Sequence, residues 1–250
     1  MSKPNQTKAY AWLKEKLNRF KNTLFPKAYV CHVCGAEIGE DGREDSLCPK
    51  CRERLPYRHD NTCPICGNYV AIPGLCARCR TSRPPYSQAF APFDYTGSIR
   101  RMIINYKDNG SPWLAPYIAK YLIDYAKAME LHADYLVYVP SSDKALKTRG
   151  FEHNKKVAML LCTALELPLI EPLHRVSQKK DQSDLTFEER YQNVNGSFIL
   201  RDDYDRSQLI GKKILLIDDV MTTGATVTTC AQVLKSNGAQ EIIILTLARS

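Results

Sequence analysis

The sequence predicts an α/β fold, with a mainly parallel sheet flanked by helices and a small cysteine-rich domain in front of it. From residue 88 to residue 248, short β-branched apolar runs alternate with segments of helical periodicity, which is typical of parallel strands joined by crossover helices. Eight of the 10 cysteines lie between residues 31 and 79 in C-x-x-C pairs. A chain of 250 residues has room for one α/β domain and one such appendage.

The first 28 residues are predicted to be a basic, amphipathic helix or tail, because Leu13, Leu17, Phe20 and Leu24 recur at helical spacing among lysines. Residues 1–85 hold 15 Lys and Arg against 8 Asp and Glu, whereas residues 86–250 hold 20 against 19. A positive end predicts an acidic partner, such as nucleic acid or an anionic membrane surface. A solvated basic surface is the alternative.

The chain shows neither an apolar run of about 18 residues nor a secretory core of about 7–15 residues after its basic start. We therefore expect no transmembrane segment and a cytoplasmic location, with peripheral attachment to a membrane as an alternative.

The cysteine pairs predict two structural zinc ions. A C-x-x-C turn presents two thiolates to one tetrahedral metal, and two such turns complete a four-cysteine site. "CHVCG…CPKCR" and "CPICG…CARCR" form an internal repeat, which favours one site per copy. The first would be Cys31, Cys34, Cys48 and Cys51, and the second Cys63, Cys66, Cys76 and Cys79. Cross-braced pairing remains an alternative, and a disulfide framework is disfavoured in a cytoplasmic chain.

The zinc-ribbon domain is predicted over residues 29–83, with a hinge at "TSRPPYS", and the α/β domain over residues 84–250. An extended opening at residues 88–95 precedes the first predicted helix. Helices are predicted over residues 98–107, 113–129, 151–165 and 226–236, and strands over residues 134–140, 196–200, 212–218 and 241–248.

The most informative stretch is "KKILLIDDVMTTGAT", residues 212–226, where a buried strand ends in Asp218 and Asp219. The small turn that follows leads into a helix, and its N–H groups and threonine hydroxyls suit a phosphate. The two carboxylates suit sugar hydroxyls or Mg²⁺. The residues therefore predict a site for a ribose 5-phosphate.

This stretch resembles the phosphoribosyl-pyrophosphate (PRPP) motif of type I phosphoribosyltransferases, which implies that fold for the α/β domain. The resemblance makes Asp218 and Asp219 the catalytic acids that hold the ribose 2′- and 3′-hydroxyls, with residues 222–226 around the 5-phosphate. It assigns PRPP binding to Val220, Met221, Thr222, Thr223, Gly224, Ala225 and Thr226.

A second element, "VYVPSSDKALKTRGF", matches the pyrophosphate-binding loop that the resemblance leads us to expect at the end of an earlier strand. Pro140, Ser141 and Ser142 form the loop, and Arg149 and Lys144 are nearby cations. Lys107 matches a family lysine that approaches the phosphates, with a surface lysine at a helix end as the alternative. Magnesium would enter with PRPP.

The double ribbon, "FDYTGSIRRMIINYKDNG", "RGF", "QSDLTFEERYQNVNGSF", the PRPP motif and "LTLARS" together resemble the ComF family of bacterial DNA-uptake proteins. The resemblance implies single-stranded DNA and a ComFA-type helicase as partners, with Tyr57 and Tyr69 stacking on bases. The family usually has Asn-Gln where this chain has Glu152-His153. Because an acid is unfavourable beside a polyanion, either Glu152 points away or the site is tuned differently.

Two classes of function follow from these observations. In one, the protein binds PRPP and takes part in the uptake of single-stranded DNA during transformation. In the other, it is an active PRPP- and Mg²⁺-dependent phosphoribosyltransferase with an unknown acceptor and a housekeeping role.

Overall fold

The computed structural model describes residues 30–39, 45–58, 61–176 and 197–250. The chain divides into two units, Met1–Arg52 and Glu53–Ser250. The helix predicted for the N-terminal tail lies outside the described residues, as does most of "QSDLTFEERYQNVNGSF". Among the described residues, no helix combines the length and the apolar character needed to cross a membrane.

The first unit contains the first cysteine repeat. Its knuckle turns at Gly35, whose φ of 74° lies in the left-handed region that glycine tolerates. The N–H of Gly35 donates to the carbonyl of Cys31 at 2.7 Å. Helix α1, Pro49–Glu53, follows Cys48, and the carboxylate of Asp45 accepts hydrogen bonds from Arg52 at 2.7 and 2.9 Å.

The second cysteine repeat belongs to the same unit as the sheet. It contains a knuckle at Gly67, with a φ of 65°, and helix α2, Ala77–Thr81. The N–H of Ala89 donates to the carbonyl of Ile65 at 2.7 Å, so this ribbon is hydrogen-bonded to the first strand of the sheet. Cys63, Cys66 and Cys79 are at most 1% exposed. They share one buried cluster with side chains of the α/β core.

The sheet is parallel, as the alternation of strands and helices predicts. Its strands are β1 (Gln88–Phe90), β2 (Phe93–Asp94), β3 (Tyr135–Tyr138), β6 (Lys213–Met221) and β7 (Glu241–Arg249). The order is β1-β7-β6-β3, and β2 also pairs with β7. Strand β6 continues beyond the predicted end at residue 218, because β7 provides partners as far as the Met221–Arg249 pair.

Helices cover the sheet and complete the core. They are α3 (Gly97–Lys107), α4 (Ala115–Ala128), α5 (Asp143–Arg149), α6 (His153–Leu165) and α7 (Ala225–Ser236), with 3-10 turns at Pro112–Leu114 and Arg206–Leu209. The central strands are apolar on both faces and fully buried at Leu136, Ile214 and Ile244, as expected for a parallel sheet covered on both sides.

Two elements differ from the sequence-based prediction. Helix α5 was not predicted, because it is short and has charged residues at four of its seven positions. Strand β5, Phe198–Leu200, pairs antiparallel with β4, Leu173–Arg175, in a separate two-stranded sheet rather than joining the parallel sheet.

Candidate functional site

The site lies where strands β3 and β6 end side by side. The two strands pair in parallel with Tyr138 opposite Ile217, so their carboxyl ends meet at one edge. This register places the loop of residues 140–142 next to Asp218 and Asp219. The carboxyl edge of a parallel sheet is where α/β proteins bind ligands.

Asp219 is the charged centre of the site. Its Oδ2 lies 2.8 Å from Lys107 Nζ and 3.3 Å from His153 Nε2, and its side chain is 11% exposed. Its Oδ1 accepts a hydrogen bond from the N–H of Val220 at 2.7 Å. Burial alone would raise the pKa of Asp219, but Lys107 and His153 outweigh it and hold the pKa well below its ordinary value. Asp219 is therefore a permanent anion.

Asp218 is in a different environment although it is the next residue. Its Oδ1 accepts hydrogen bonds from Asn154 Nδ2 and from the N–H of Asp219, both at 2.9 Å. Burial and the adjacent charge of Asp219 raise the pKa of Asp218 to about 6. The two neighbouring acids thus differ in charge state below about pH 6, where Asp218 is protonated and Asp219 stays ionised.

The loop of residues 222–226, called the phosphate loop after the ligand that the sequence predicts for it, joins β6 to helix α7. Gly224 has a φ of 77°, and a Cβ there would lie 2.6 Å from the Cε of Met221, so the position requires glycine. Thr223 Oγ1 accepts a hydrogen bond from the N–H of Ala225 at 3.2 Å, at the first residue of the helix. From the second ribbon, Arg78 Nη1 donates to the carbonyl oxygen of Thr223.

The loop of residues 140–142 is occupied by a side chain of the protein itself. Glu152 does not point away, so the first of the two alternatives for this residue is wrong and the second, a differently tuned site, remains. Its Oε2 accepts a hydrogen bond from the N–H of Ser141 at 2.9 Å, and its Oε1 accepts one from Ser141 Oγ at 2.7 Å. Ser142 Oγ accepts a hydrogen bond from the N–H of Ala145 at 3.3 Å and so caps helix α5.

The predicted cations Lys107 and Arg149 both reach this edge. Arg149 Nε donates to the backbone carbonyl of Lys107, and Arg149 Nη1 donates to His153 Nδ1 at 2.7 Å. Lys144 lines a neighbouring cavity together with Asp108 and Gly110. The central cavity is lined by Lys107, Val139, Pro140, Ser141, Ser142, Ala145, Arg149, His153, Asn154, Arg175, Asp218, Asp219, Val220 and Thr226.

Three residues of this site had no role assigned from the sequence: His153, Asn154 and Arg78. His153 and Asn154 are 4% and 3% exposed at the start of helix α6. Because buried polar groups need hydrogen-bond partners, both side chains are held by other groups of the site. The three polar residues directly after "RGF", Glu152, His153 and Asn154, were the available signal. Arg78 had no local signal, because it is 145 residues from its partner.

The eight paired cysteines form two clusters, one per repeat, which agrees with sequential pairing. Within each, the thiol sulfurs lie within 4.8 Å of one another. The Sγ atoms of Cys34 and Cys48 are 3.7 Å apart, and those of Cys66 and Cys76 are 3.6 Å apart. Zinc–sulfur bonds of about 2.3 Å in a tetrahedron place sulfurs about 3.8 Å apart. Both clusters therefore fit the four-cysteine sites of a double zinc ribbon.

Comparison with protein families agrees with this architecture. Residues 20–80 match the double zinc ribbon domain, and residues 145–250 match the phosphoribosyl transferase domain. The predicted fold class, a type I phosphoribosyltransferase fold behind a zinc-ribbon domain, is confirmed. A crystal structure of adenine phosphoribosyltransferase is similar with a TM-score of 0.35 and 13% identity, covering 55% of this chain and 72% of that one.

Two relatives match most of this chain. The DNA utilization protein YhgH of Salmonella typhimurium is 28% identical over 216 residues, which is 82% of this chain and 90% of that protein. The competence protein ComFC of Bacillus subtilis is 24% identical over 241 residues, or 88% of this chain and 95% of that protein. The resemblance to the ComF family that the motifs indicate is confirmed by these relatives.

Proposed function

We propose that this homologue of the competence and DNA utilization proteins binds PRPP or a related ribose phosphate and takes part in the uptake of single-stranded DNA during transformation. The ligand part of the proposal rests on the site, and the biological part rests on what the relatives are named for.

One observation carries the ligand assignment. The ionised Asp219, paired with Lys107 at 2.8 Å, lies three residues before the glycine-containing loop that begins helix α7. Acids that accept hydrogen bonds from sugar hydroxyls, next to N–H groups that suit a phosphate, are complementary to the two ends of a ribose 5-phosphate. The phosphoribosyl transferase family match over these residues supports the same ligand.

Magnesium would enter this site together with the phosphates of PRPP. Asp218 and Asp219 offer carboxylate oxygens, the ligand type that Mg²⁺ prefers. When bound, the ion would neutralise phosphate charge. Because Lys107 already compensates Asp219, we expect Mg²⁺ to bind with the sugar phosphate and only weakly to the free protein.

Contact with DNA is supported by the second ribbon. Tyr57 and Tyr69 are 61% and 62% exposed, as stacking on bases requires. Arg78 and Arg80 are exposed on helix α2 of the same ribbon. A ComFA-type helicase is the protein partner that the family resemblance implies.

Calorimetric titration of PRPP with Mg²⁺, with and without single-stranded DNA, tests the proposal. We expect saturable PRPP binding that the double variant Asp218→Asn/Asp219→Asn abolishes. The variant Glu171→Gln, which changes an acid bonded to Tyr138 and Lys155, serves as the control. Wild-type protein that binds neither PRPP nor ribose 5-phosphate would refute the ligand assignment.

The DNA part is tested separately with a labelled oligothymidylate. We expect its anisotropy to report binding that weakens steeply between roughly 50 and 200 mM salt. Tyr57→Ala with Tyr69→Ala should weaken it further. Transformation that proceeds normally in a competent host carrying the double aspartate variant would separate the sugar site from DNA uptake.

A second candidate function is phosphoribosyl transfer itself. It is favoured by the different pKa values of Asp218 and Asp219, since a carboxyl with a pKa of about 6 beside a permanent anion is a common arrangement for acid–base chemistry. An acceptor nucleophile would displace pyrophosphate from the ribose C1, with one new bond formed as the C1–oxygen bond breaks. Release of pyrophosphate from PRPP that depends on an added base or amine would demonstrate it.

A further inference from the structure

The carboxylate of Glu152 takes the place of a ligand anion in the loop of residues 140–142. One oxygen accepts from the backbone N–H of Ser141 and the other from the Ser141 hydroxyl, at 2.9 and 2.7 Å. Both donors belong to Ser141. A backbone N–H and a hydroxyl are the groups that would otherwise donate hydrogen bonds to the oxygens of a bound phosphoryl group.

Glu152 is not used for the role that its position suggests. It is the N-cap residue of helix α6, where an acidic side chain ordinarily accepts a hydrogen bond from its own helix. Here the side chain makes no such capping bond. It reaches back 11 residues to Ser141 instead, so its carboxylate is committed to the loop.

Arg149 is the cation beside this loop and helps to hold the internal anion in place. Its Nη1 lies 3.4 Å from Ser141 Oγ, the hydroxyl that donates to Glu152. The Glu152 side chain is 14% exposed. Burial would raise the pKa of Glu152, but the hydrogen bonds from Ser141 contribute to lowering it, which keeps the side chain ionised.

The phosphate loop at the other end of the site is different. Among the residues that the structure describes, none accepts a hydrogen bond from the N–H groups of Thr222, Thr223 or Gly224. One half of the site therefore has its donors available, whereas the other half has its donors occupied by a carboxylate.

We propose that Glu152 is a specificity-determining residue, an internal anion that fills the pyrophosphate half of the site and makes the chain select ribose 5-phosphate monoesters over PRPP. This inference rests on the ribose-phosphate site proposed above. To enter, pyrophosphate must break the two hydrogen bonds from Ser141 to the Glu152 carboxylate and displace that carboxylate, whose negative charge repels it. The 5-phosphate meets no such competitor at residues 222–226.

Calorimetric titrations with three probes test this inference: ribose 5-phosphate, PRPP and inorganic pyrophosphate, each with Mg²⁺. In wild-type protein we expect ribose 5-phosphate to bind more tightly than PRPP, by about threefold or more. Glu152→Gln, which keeps the shape and removes the charge, should tighten PRPP and pyrophosphate binding by about tenfold and leave ribose 5-phosphate within about twofold.

Two further variants test whether the change in affinity is specific to the Glu152 carboxylate. Glu152→Ala removes the competitor altogether and should match or exceed the gain from Glu152→Gln. Glu171→Gln removes the same charge from a carboxylate bonded to Tyr138 and Lys155, and should change none of the three affinities by more than about twofold.

The outcomes separate the two proposals. If wild type binds both sugar phosphates and the Glu152 variants leave PRPP binding unchanged or weaker, the role of Glu152 is refuted and the ribose-phosphate site stands. If all variants tighten both sugar phosphates equally, the effect is general electrostatics and the specificity claim fails. If no protein binds either sugar phosphate, both proposals fall.

Discussion

Arg78, which lies between two cysteines of the second zinc cluster, donates a hydrogen bond to the backbone carbonyl of Thr223 in the phosphate loop. Its Nη2 also lies 3.5 Å from the position that a Cβ on Gly224 would occupy. The zinc knuckle is therefore attached to the loop that we assign to the 5-phosphate, and the ribbon is part of the site's support.

Removing this contact should weaken ribose phosphate binding without unfolding the protein. We expect Arg78→Ala to lower the affinity for ribose 5-phosphate about fivefold to tenfold, because the loss of one charged hydrogen bond leaves the loop less well positioned. Arg80→Ala, an exposed arginine on the same helix, is the matched control and should stay within about twofold. Equal losses in the two variants would contradict a specific role for Arg78.

The two zinc clusters should differ in their effect on the stability of the sheet. Cys63→Ser with Cys66→Ser disrupts a cluster buried in the same core as Val227 and Leu234. We expect it to lower the Tm of the main unfolding transition by roughly 5–10 °C. Cys31→Ser with Cys34→Ser disrupts a cluster built wholly from residues of the first unit.

The first-cluster variant, Cys31→Ser with Cys34→Ser, should leave the Tm of the main unfolding transition within about 2 °C of wild type. Differential scanning calorimetry with zinc analysis by a colorimetric chelator measures both effects. A large loss of Tm from the first-cluster variant would show that the first ribbon also stabilises the sheet.

The Lys107–Asp219 pair should contribute more than an ordinary surface ion pair. Lys107→Ala leaves the mostly buried Asp219 without its closest cation, and we expect a loss of about 1–2 kcal/mol in the free energy of unfolding. Lys107 is 37% exposed, which keeps the loss below that of a fully buried pair. Lys120→Ala removes an exposed i,i+4 pair with Asp124 and should cost about 0.5 kcal/mol or less.

Urea unfolding of Lys107→Ala, Asp219→Asn and the double variant Lys107→Ala/Asp219→Asn completes a double-mutant cycle, and Lys120→Ala is measured beside it. If Lys107→Ala costs no more than Lys120→Ala, the buried pair has no special energetic role.

Asp218 should reduce stability above pH 6. Its pKa of about 6 in the folded protein exceeds the ordinary value of 3.8, so the folded state binds more protons and stability falls as pH rises through this range. Asp218→Asn removes the buried charge and keeps an oxygen for Asn154. Without ligand it should raise the free energy of unfolding by on the order of 1 kcal/mol at pH 7.5.

The same substitution should have little effect below pH 3.8, where Asp218 is protonated in both the folded and the unfolded state. Thermal unfolding of wild type and variant across pH 3.5–8 measures the difference. A gain that does not diminish as the pH falls would contradict the assigned titration. Ribose 5-phosphate binding should weaken in the same variant, so stability and ligand binding are expected to change in opposite directions.

Local sequence patterns were sufficient for most of the fold. The β-branched run at residues 214–217 forms a buried strand because its side chains suit both covered faces of a parallel sheet. The Thr-Thr-Gly-Ala turn begins a helix because Gly224 takes a positive φ there. Helix α5 and strand β4 were missed, because neither has enough periodicity to compete with neighbouring charges, and without β4 the antiparallel partner of the predicted strand β5 could not be foreseen.

The candidate site was only half visible in the sequence. Asp218, Asp219 and the phosphate loop are contiguous, so a motif could identify them. Glu152, His153 and Asn154 required the parallel register of β3 and β6, which brings the start of helix α6 to the same edge. The direction of the Glu152 side chain was not encoded locally, since the same residue could have capped its own helix.

The sequence by itself determined the α/β fold, the two four-cysteine sets and the acids of the sugar-phosphate motif. These depend on short-range periodicity and spacing, which are properties of neighbouring residues. Only the tertiary structure decided that Lys107 neutralises Asp219, that Glu152 occupies the donors of Ser141 and that Arg78 holds Thr223. Those contacts join residues 11 to 145 positions apart, and their geometry is set by how strands and helices pack.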